Sequence, residues 1–167
     1  MGEMTKVTII AHNIRSTHNV GAIFRTAEGF GAEHVICSGY TPYPMVSHDT
    51  RLPHIAEKLT KQIHKTALGA EALVPFSHHE TPPLTQLKND GYTIVGLEQA
   101  EHSINLPDYR PPNHIALLIG EEVHGIEPHL LSQCDAIIEI PMVGQKESFN
   151  VSVATGIALY HLLATSV

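Results

Sequence analysis

Short, almost wholly apolar runs separated by stretches of helical spacing constrain this chain more than any other feature. His114–Ile119 is the clearest of them, apolar at every position after the first. A strand with no polar face must be covered on both sides. In a chain that alternates strand and helix, this means a mostly parallel sheet with crossover helices on its two faces. Strands are expected at Lys6–His12, His34–Cys37, Leu73–Phe76, Tyr92–Leu97, His114–Ile119 and Ala136–Ile140. Helices are expected at His18–Phe30, Pro53–Thr66, Pro83–Asn89, Pro128–Cys134 and Asn150–Ala164. Thr41–Pro53 reads as a loop and Ser103–Asn113, with three prolines, as a connector. With no repeat, low-complexity tract or linker, residues 1–167 read as one α/β domain.

Several classes of function are disfavoured. No run of 18 apolar residues exists, so no membrane span is expected. The N-terminus lacks a long apolar segment with a small-residue cleavage site, and Cys37 and Cys134 stand far apart, which suits reduced thiols in the cytoplasm. The net charge of −7 argues against coating nucleic acid through bulk positive charge. Any such contact needs a local patch. Arg51, Lys58, Lys61 and Lys65, spaced for one helical face with His54 beside them, are the candidate. A solvated helix face would look the same. Thirteen histidines are scattered along the chain, and their one tight cluster, His78-His79-Glu80, has no metal-ligand spacing around it, so no metal is assigned.

Three segments could carry chemistry. Asn19-Val20-Gly21-Ala22-Ile23-Phe24-Arg25-Thr26-Ala27 follows the first strand. Asn19 is a plausible N-cap, and Arg25 falls roughly 120° round the helix from it. A cap plus a surface arginine explains this segment equally well. Gly120-Glu121-Glu122-Val123-His124-Gly125 follows an apolar strand, at the carboxyl end where α/β proteins bind ligands. Ile140-Pro141-Met142-Val143-Gly144 and Ser148-Phe149-Asn150 close the last strand and open the last helix, where Asn150 is a plausible cap. Neither a dinucleotide fingerprint nor a phosphate loop is present.

Taken together the three segments resemble the SpoU/TrmH family of SPOUT methyltransferases. The family pattern NxGAxxRxA is matched at Asn19 to Ala27, GxExxG at Gly120 to Gly125, and IPMxG…SLNVSVAxGI at Ile140 to Ile157, with Phe149 in place of Leu. Their order and spacing agree along nearly the whole chain.

The resemblance implies a C-terminal deep trefoil knot, which no general folding rule would suggest. It also implies S-adenosylmethionine as cofactor, held by Leu97, Glu98, Gly120, Ile140, Met142, Ser148 and Phe149. The implied reaction is methyl transfer to a ribose 2′-hydroxyl of tRNA or rRNA, with Arg25, Asn19, Glu122, Ser148 and Asn150 around the reacting atoms. A guanidinium is a poor base, so Arg25 is expected to contact the phosphate or the 2′-oxygen and ease alkoxide formation. Family members form homodimers whose active sites draw on both chains, and the last helix is apolar on more than one face. Larger relatives carry an added RNA-binding domain. This chain reads as a minimal catalytic domain that selects RNA through its dimer surface or a partner. The alternatives are a non-catalytic RNA-binding protein that keeps the knotted fold, and a generic nucleotide-binding α/β protein, which the missing phosphate loops disfavour.

Overall fold

The computed structural model describes residues 3–164. Seven strands form one sheet: β1 (Lys6–His12), β2 (His34–Ser38), β3 (Phe76–His79), β4 (Thr93–Leu97), β5 (Ile104–Asn105), β6 (His114–Ile119) and β7 (Ala136–Glu139). Their spatial order is β3-β2-β1-β6-β4-β7-β5, and every neighbouring pair is parallel. Along β6 the side chains alternate between two cores. Ile115, Leu117 and Ile119 join one cluster, while Ala116 and Leu118 join the other. This two-sided burial is why the strand has no polar face.

The first core is covered by α1 (Thr17–Phe30), α2 (Pro53–Ala67) and α5 (Val151–Ala164). The second lies under α3 (Leu84–Asn89) and α4 (Pro128–Leu131). The cap of α1 is Ser16, whose hydroxyl accepts from the Asn19 backbone N–H at 3.2 Å; Asn19 is therefore not the cap. Its side chain is left free for other contacts. Gly21 lets α2 come within touching distance of α1. A Cβ there would collide with the Thr66 hydroxyl and the Ile63 carbonyl. Asn150 does cap α5, its Oδ1 accepting from the backbone N–H groups of Ser152 and Val153.

Two strands differ from expectation. The third begins at Phe76 because Ala70–Ala72 form a 3-10 turn whose Ala70 carbonyl accepts from Leu73 and Val74, leaving Leu73 exposed. The strand that follows, FSHH, lies at the sheet edge and is only half-buried, so it carries no apolar run to betray it. Inside the expected connector, Ile104–Asn105 adds a two-residue edge strand to β7.

All carboxyl ends lie along one edge of the sheet. The chain runs outward from β1 to β2 and β3, then restarts with β4 on the far side of β6. That reversal makes the β1–β6–β4 edge the crevice where open α/β sheets take ligands.

Candidate active site

A cavity of about 240 Å³ opens at this crevice, at the ends of β4, β6 and β7. Leu97, Ile119, Ile140, Phe149, Val151 and Ala154 give it apolar walls. Of the residues expected to hold a cofactor, Leu97, Glu98, Gly120, Ile140, Ser148 and Phe149 line it. Met142 does not. Its sulfur instead accepts from the Gln99 amide at 3.4 Å, beside the cavity rim.

The loop after β6 is folded back on itself. Glu121 and Gly125 exchange backbone hydrogen bonds, and Gly125 has φ 70°. A Cβ on Gly125 would strike the Glu98 carboxylate, whose Oε2 accepts from the Ile126 N–H at 2.9 Å. At Gly120 a Cβ would lie 2.5 Å from the Gly125 carbonyl carbon. Both glycines are thus required by close approach of backbone to backbone or carboxylate. Glu98, Glu121, Glu122, Glu139 and Glu147 all line the cavity, so a large share of the chain's acidity is gathered here.

Three distant segments meet beside this cavity. The Asn150 amide donates to Asn19 Oδ1 at 3.2 Å, and the Asn19 amide donates to Glu122 Oε1 at 3.3 Å. Glu122 also accepts from the backbone N–H groups of Arg15 and Ser16, at 3.2 Å each. It thereby occupies the anion position at the start of α1. Burial pushes its carboxyl up, but these backbone donors and the Asn19 amide outweigh that and hold it below the ordinary carboxylate range. Glu122 is an ionised anchor.

Arg25 stands apart from this group. It is exposed on α1, lines neither the cavity nor the groove beside it, and has no ion-pair partner among the described residues. Its helical offset from Asn19 accounts for this, since the two side chains leave α1 in different directions. Thr26, the next residue, faces Gly156 of α5. Phe30 and Tyr160 meet edge to face across the same pair of helices, and Val153 and Ile157 on α5 are exposed as well.

The basic stripe is divided. Lys58, Lys61 and Lys65 lie exposed on α2 with no acidic partner among the described residues. Arg51 precedes the helix and is held down: its guanidinium pairs with Asp49 at 2.6 Å, bonds the Tyr43 and Pro44 carbonyls, and lies 3.7 Å over the Tyr43 ring. His78 and His79 point to different partners, the Tyr43 ring and Ser77. Among the described residues no group of three or more His, Cys, Asp and Glu could hold a metal ion. No described helix is long and apolar enough to cross a membrane.

Reading the sequence missed Ile119, Gln99, Glu139 and Glu147 in the cavity wall, and Ser16 as the cap. Ile119 and Glu139 end β6 and β7 and Gln99 lies two residues past β4, so all three could have been found by taking the residues at and just after the end of each parallel strand. Glu147 had no such signal.

A doubly covered parallel sheet with a glycine-lined cavity at its switch point defines a ligand-binding α/β domain. The profile of the SpoU rRNA methylase family matches residues 6–160, so the chain belongs to that family. It is 31% identical to a tRNA (guanosine(18)-2′-O)-methyltransferase of Aquifex aeolicus over 154 residues, covering 91% of this chain and 66% of the relative. It is 34% identical to an uncharacterized tRNA/rRNA methyltransferase of Synechocystis, covering 93% of this chain and 37% of that protein. Among solved structures, the A. aeolicus TrmH/SpoU tRNA modifying enzyme superposes with TM-score 0.78 at 26% identity, over 97% of this chain and 76% of the other. An AdoMet-bound rRNA methyltransferase from Sinorhizobium meliloti shares the fold, with TM-score 0.80 at 22% identity over 99% of this chain and 58% of the other. The chain spans from 9% to 66% of the length of the first curated relatives it matches.

Proposed function

We propose that this chain transfers a methyl group from S-adenosylmethionine to a ribose 2′-hydroxyl of tRNA or rRNA. The observation that carries the reading is the Asn150–Asn19–Glu122 chain of hydrogen bonds, which fixes three otherwise separate segments beside one cavity. The residues present fit the cofactor. It is an adenosine with a cationic sulfonium and an amino-acid tail, and the cavity combines apolar walls with five carboxylates. Leu97, Glu98, Gly120, Ile140, Ser148 and Phe149 would hold it, with Met142 bracing Gln99 at the rim. When bound, it supplies a methyl carbon already activated for in-line displacement.

The protein must then align the 2′-oxygen and ease loss of its proton. Glu122 is unsuited to being the base, because its oxygens are engaged by Arg15, Ser16 and Asn19. It positions Asn19, and Asn19 positions Asn150. Ser148 lines the cavity with no hydrogen-bond partner among the described residues, which leaves its hydroxyl available to the ribose. Arg25 supplies positive charge to the phosphate or the developing alkoxide.

Arg25 does not reach the cavity of its own chain, so the proposal includes a homodimer in which it serves the partner's site. The exposed apolar positions Val153, Ile157 and Tyr160 on α5, with Phe30, give such a dimer its contact surface. The C-terminal trefoil knot belongs to the same reading, resting on family membership. RNA phosphates would be met by Lys58, Lys61 and Lys65, while Arg51 serves the loop that it braces. Calorimetry with S-adenosylmethionine, followed by tritiated-methyl transfer to total RNA and mapping of the labelled nucleotide, tests the proposal. Label on a base, or none on any RNA, would overturn it.

A further inference from the structure

A second concavity, a groove of about 520 Å³, lies against the first and is used by no step above. Arg15, Ser16, Tyr40, Tyr43, Arg51 and His78 are among its lining residues. The two hollows share a wall, since Glu122 lines the cavity and accepts from the backbone of Arg15 and Ser16, which line the groove.

The aromatic rings here differ in what they can offer. Tyr43 lies between the Arg51 guanidinium, 3.7 Å from its centroid, and the His78 ring, stacked at 4.2 Å. Both its faces are taken, so it is wall. Tyr40 is 54% exposed, and among the described residues no other aromatic ring or cation stands against its face than Arg15, with Cζ 6.0 Å from the ring centroid. That gap is at the outer limit for a cation–π contact. Arg15 has no acidic partner among the described residues, although the chain as a whole is acidic and the neighbouring cavity more so.

Tyr40 is also held rigidly. Its backbone N–H donates to Asn13 Oδ1 at 3.1 Å, and Asn13 itself takes φ 55° to make that contact. Gly39, at φ 63°, bonds through its carbonyl to His78, and Thr41 bonds both the Ala11 carbonyl and the Ile14 N–H. An exposed aromatic ring on a braced turn loses little entropy when something stacks on it.

We infer that Tyr40 and Arg15 form a subsite for a nucleotide flanking the target, with the base stacked on the Tyr40 ring and Arg15 closing over it or meeting its phosphate. The inference rests on the RNA reading above and deepens it. The RNA must be single-stranded there, because a paired base has no free face to give. The site therefore favours a loop or bulge over a continuous helix.

The test uses a single-stranded RNA of mixed sequence with one 2-aminopurine, whose fluorescence is quenched on stacking, and the same strand in a duplex. The chain has no tryptophan to interfere. Wild type is expected to quench the single strand and not the duplex. Tyr40→Ala should lose quenching and bind roughly 5- to 150-fold more weakly, while Tyr40→Phe keeps both. Arg15→Gln, which retains the backbone bond to Glu122, should weaken binding and reduce its salt dependence. In methyl transfer, Tyr40→Ala should raise KM for RNA and leave S-adenosylmethionine binding by calorimetry unchanged. Equal RNA affinity in Tyr40→Ala and wild type, or equal quenching of duplex, overturns the subsite while methyl transfer stands. A wild type that binds the cofactor and no RNA overturns both.

Discussion

Asn150 donates a hydrogen bond to Asn19 at 3.2 Å across 131 positions of sequence, while its other amide atom caps α5. One side chain thus joins the start of the last helix to the first. The two roles separate by substitution. Asn150→Ala removes both and should cost about 1 kcal/mol through the missing cap. Asn150→Asp keeps an oxygen for the cap but turns a second oxygen towards Asn19 Oδ1. It is expected to melt near wild type yet transfer methyl groups far more slowly. Thermal unfolding and methyl-transfer rates on the two variants check this; a normal rate in Asn150→Asp would remove the Asn19 link from the site.

Glu122 makes the same junction depend on pH. Its folded pKa is lowered, because hydrogen bonds from Arg15, Ser16 and Asn19 outweigh the effect of burial. A carboxylate with a depressed folded pKa contributes stability above its unfolded value, near 4.5, and loses it as pH falls through the folded value. Glu122→Gln should therefore be less stable than wild type at neutral pH, and the difference should shrink below about pH 4.5. Denaturant midpoints at a series of pH values measure it. A constant gap across the acid range would mean that the carboxylate charge is irrelevant here.

Gly120 is a test of the cavity floor. A Cβ would lie 2.5 Å from the Gly125 carbonyl carbon and 2.6 Å from the Ile126 nitrogen. The loop must then move, costing about 1–3 kcal/mol of stability. Gly120→Ala is expected to weaken S-adenosylmethionine binding by more than tenfold in calorimetry, whereas Gly144→Ala, with open space around it, should not.

How much of this was legible in the sequence depends on what each residue answers to. β6 could be read because a strand buried on both faces shows it in every residue. β3 could not, since an edge strand half-open to solvent is free to be FSHH. The motif residues could be named from family resemblance, and several of them, Gly120, Glu122 and Ser148 among them, line the cavity at the strand ends. What no local pattern revealed was the partnering. Asn19 looked like a cap because it follows a strand, but Ser16 does that work and frees Asn19 for Asn150 and Glu122. Arg51 looked like part of a basic face because spacing carries no knowledge of Asp49, two residues earlier in the chain and paired with it.

That division of the cations gives a measurable contrast. Lys58, Lys61 and Lys65 are exposed and unpaired among the described residues, whereas Arg51 is tied to Asp49, Tyr43 and Pro44. Changing the three lysines to glutamine should weaken RNA binding. It should also reduce the slope of log K against log salt by about 0.7–0.9 for each phosphate that is no longer neutralised. Arg51→Gln should lower the melting temperature and leave the slope nearly unchanged. The reverse pattern would place the phosphate contacts at Arg51.

Arg25 carries the strongest test of the dimer. It lies outside the cavity of its own chain, although the proposed chemistry requires it. Arg25→Ala alone is expected to abolish methyl transfer and leave cofactor binding nearly intact. Asn19→Ala should also be inactive, through the site it helps to build. If Arg25 serves the partner's cavity, mixing the two inactive variants under conditions that exchange protomers restores activity. A mixed dimer then has one site with both defects and one with neither, so statistical exchange should recover about a quarter of wild-type activity: half of the dimers are mixed and half of their sites intact. No recovery despite exchange confirmed by mass spectrometry would return Arg25 to its own chain's site and require α1 to move to bring it there.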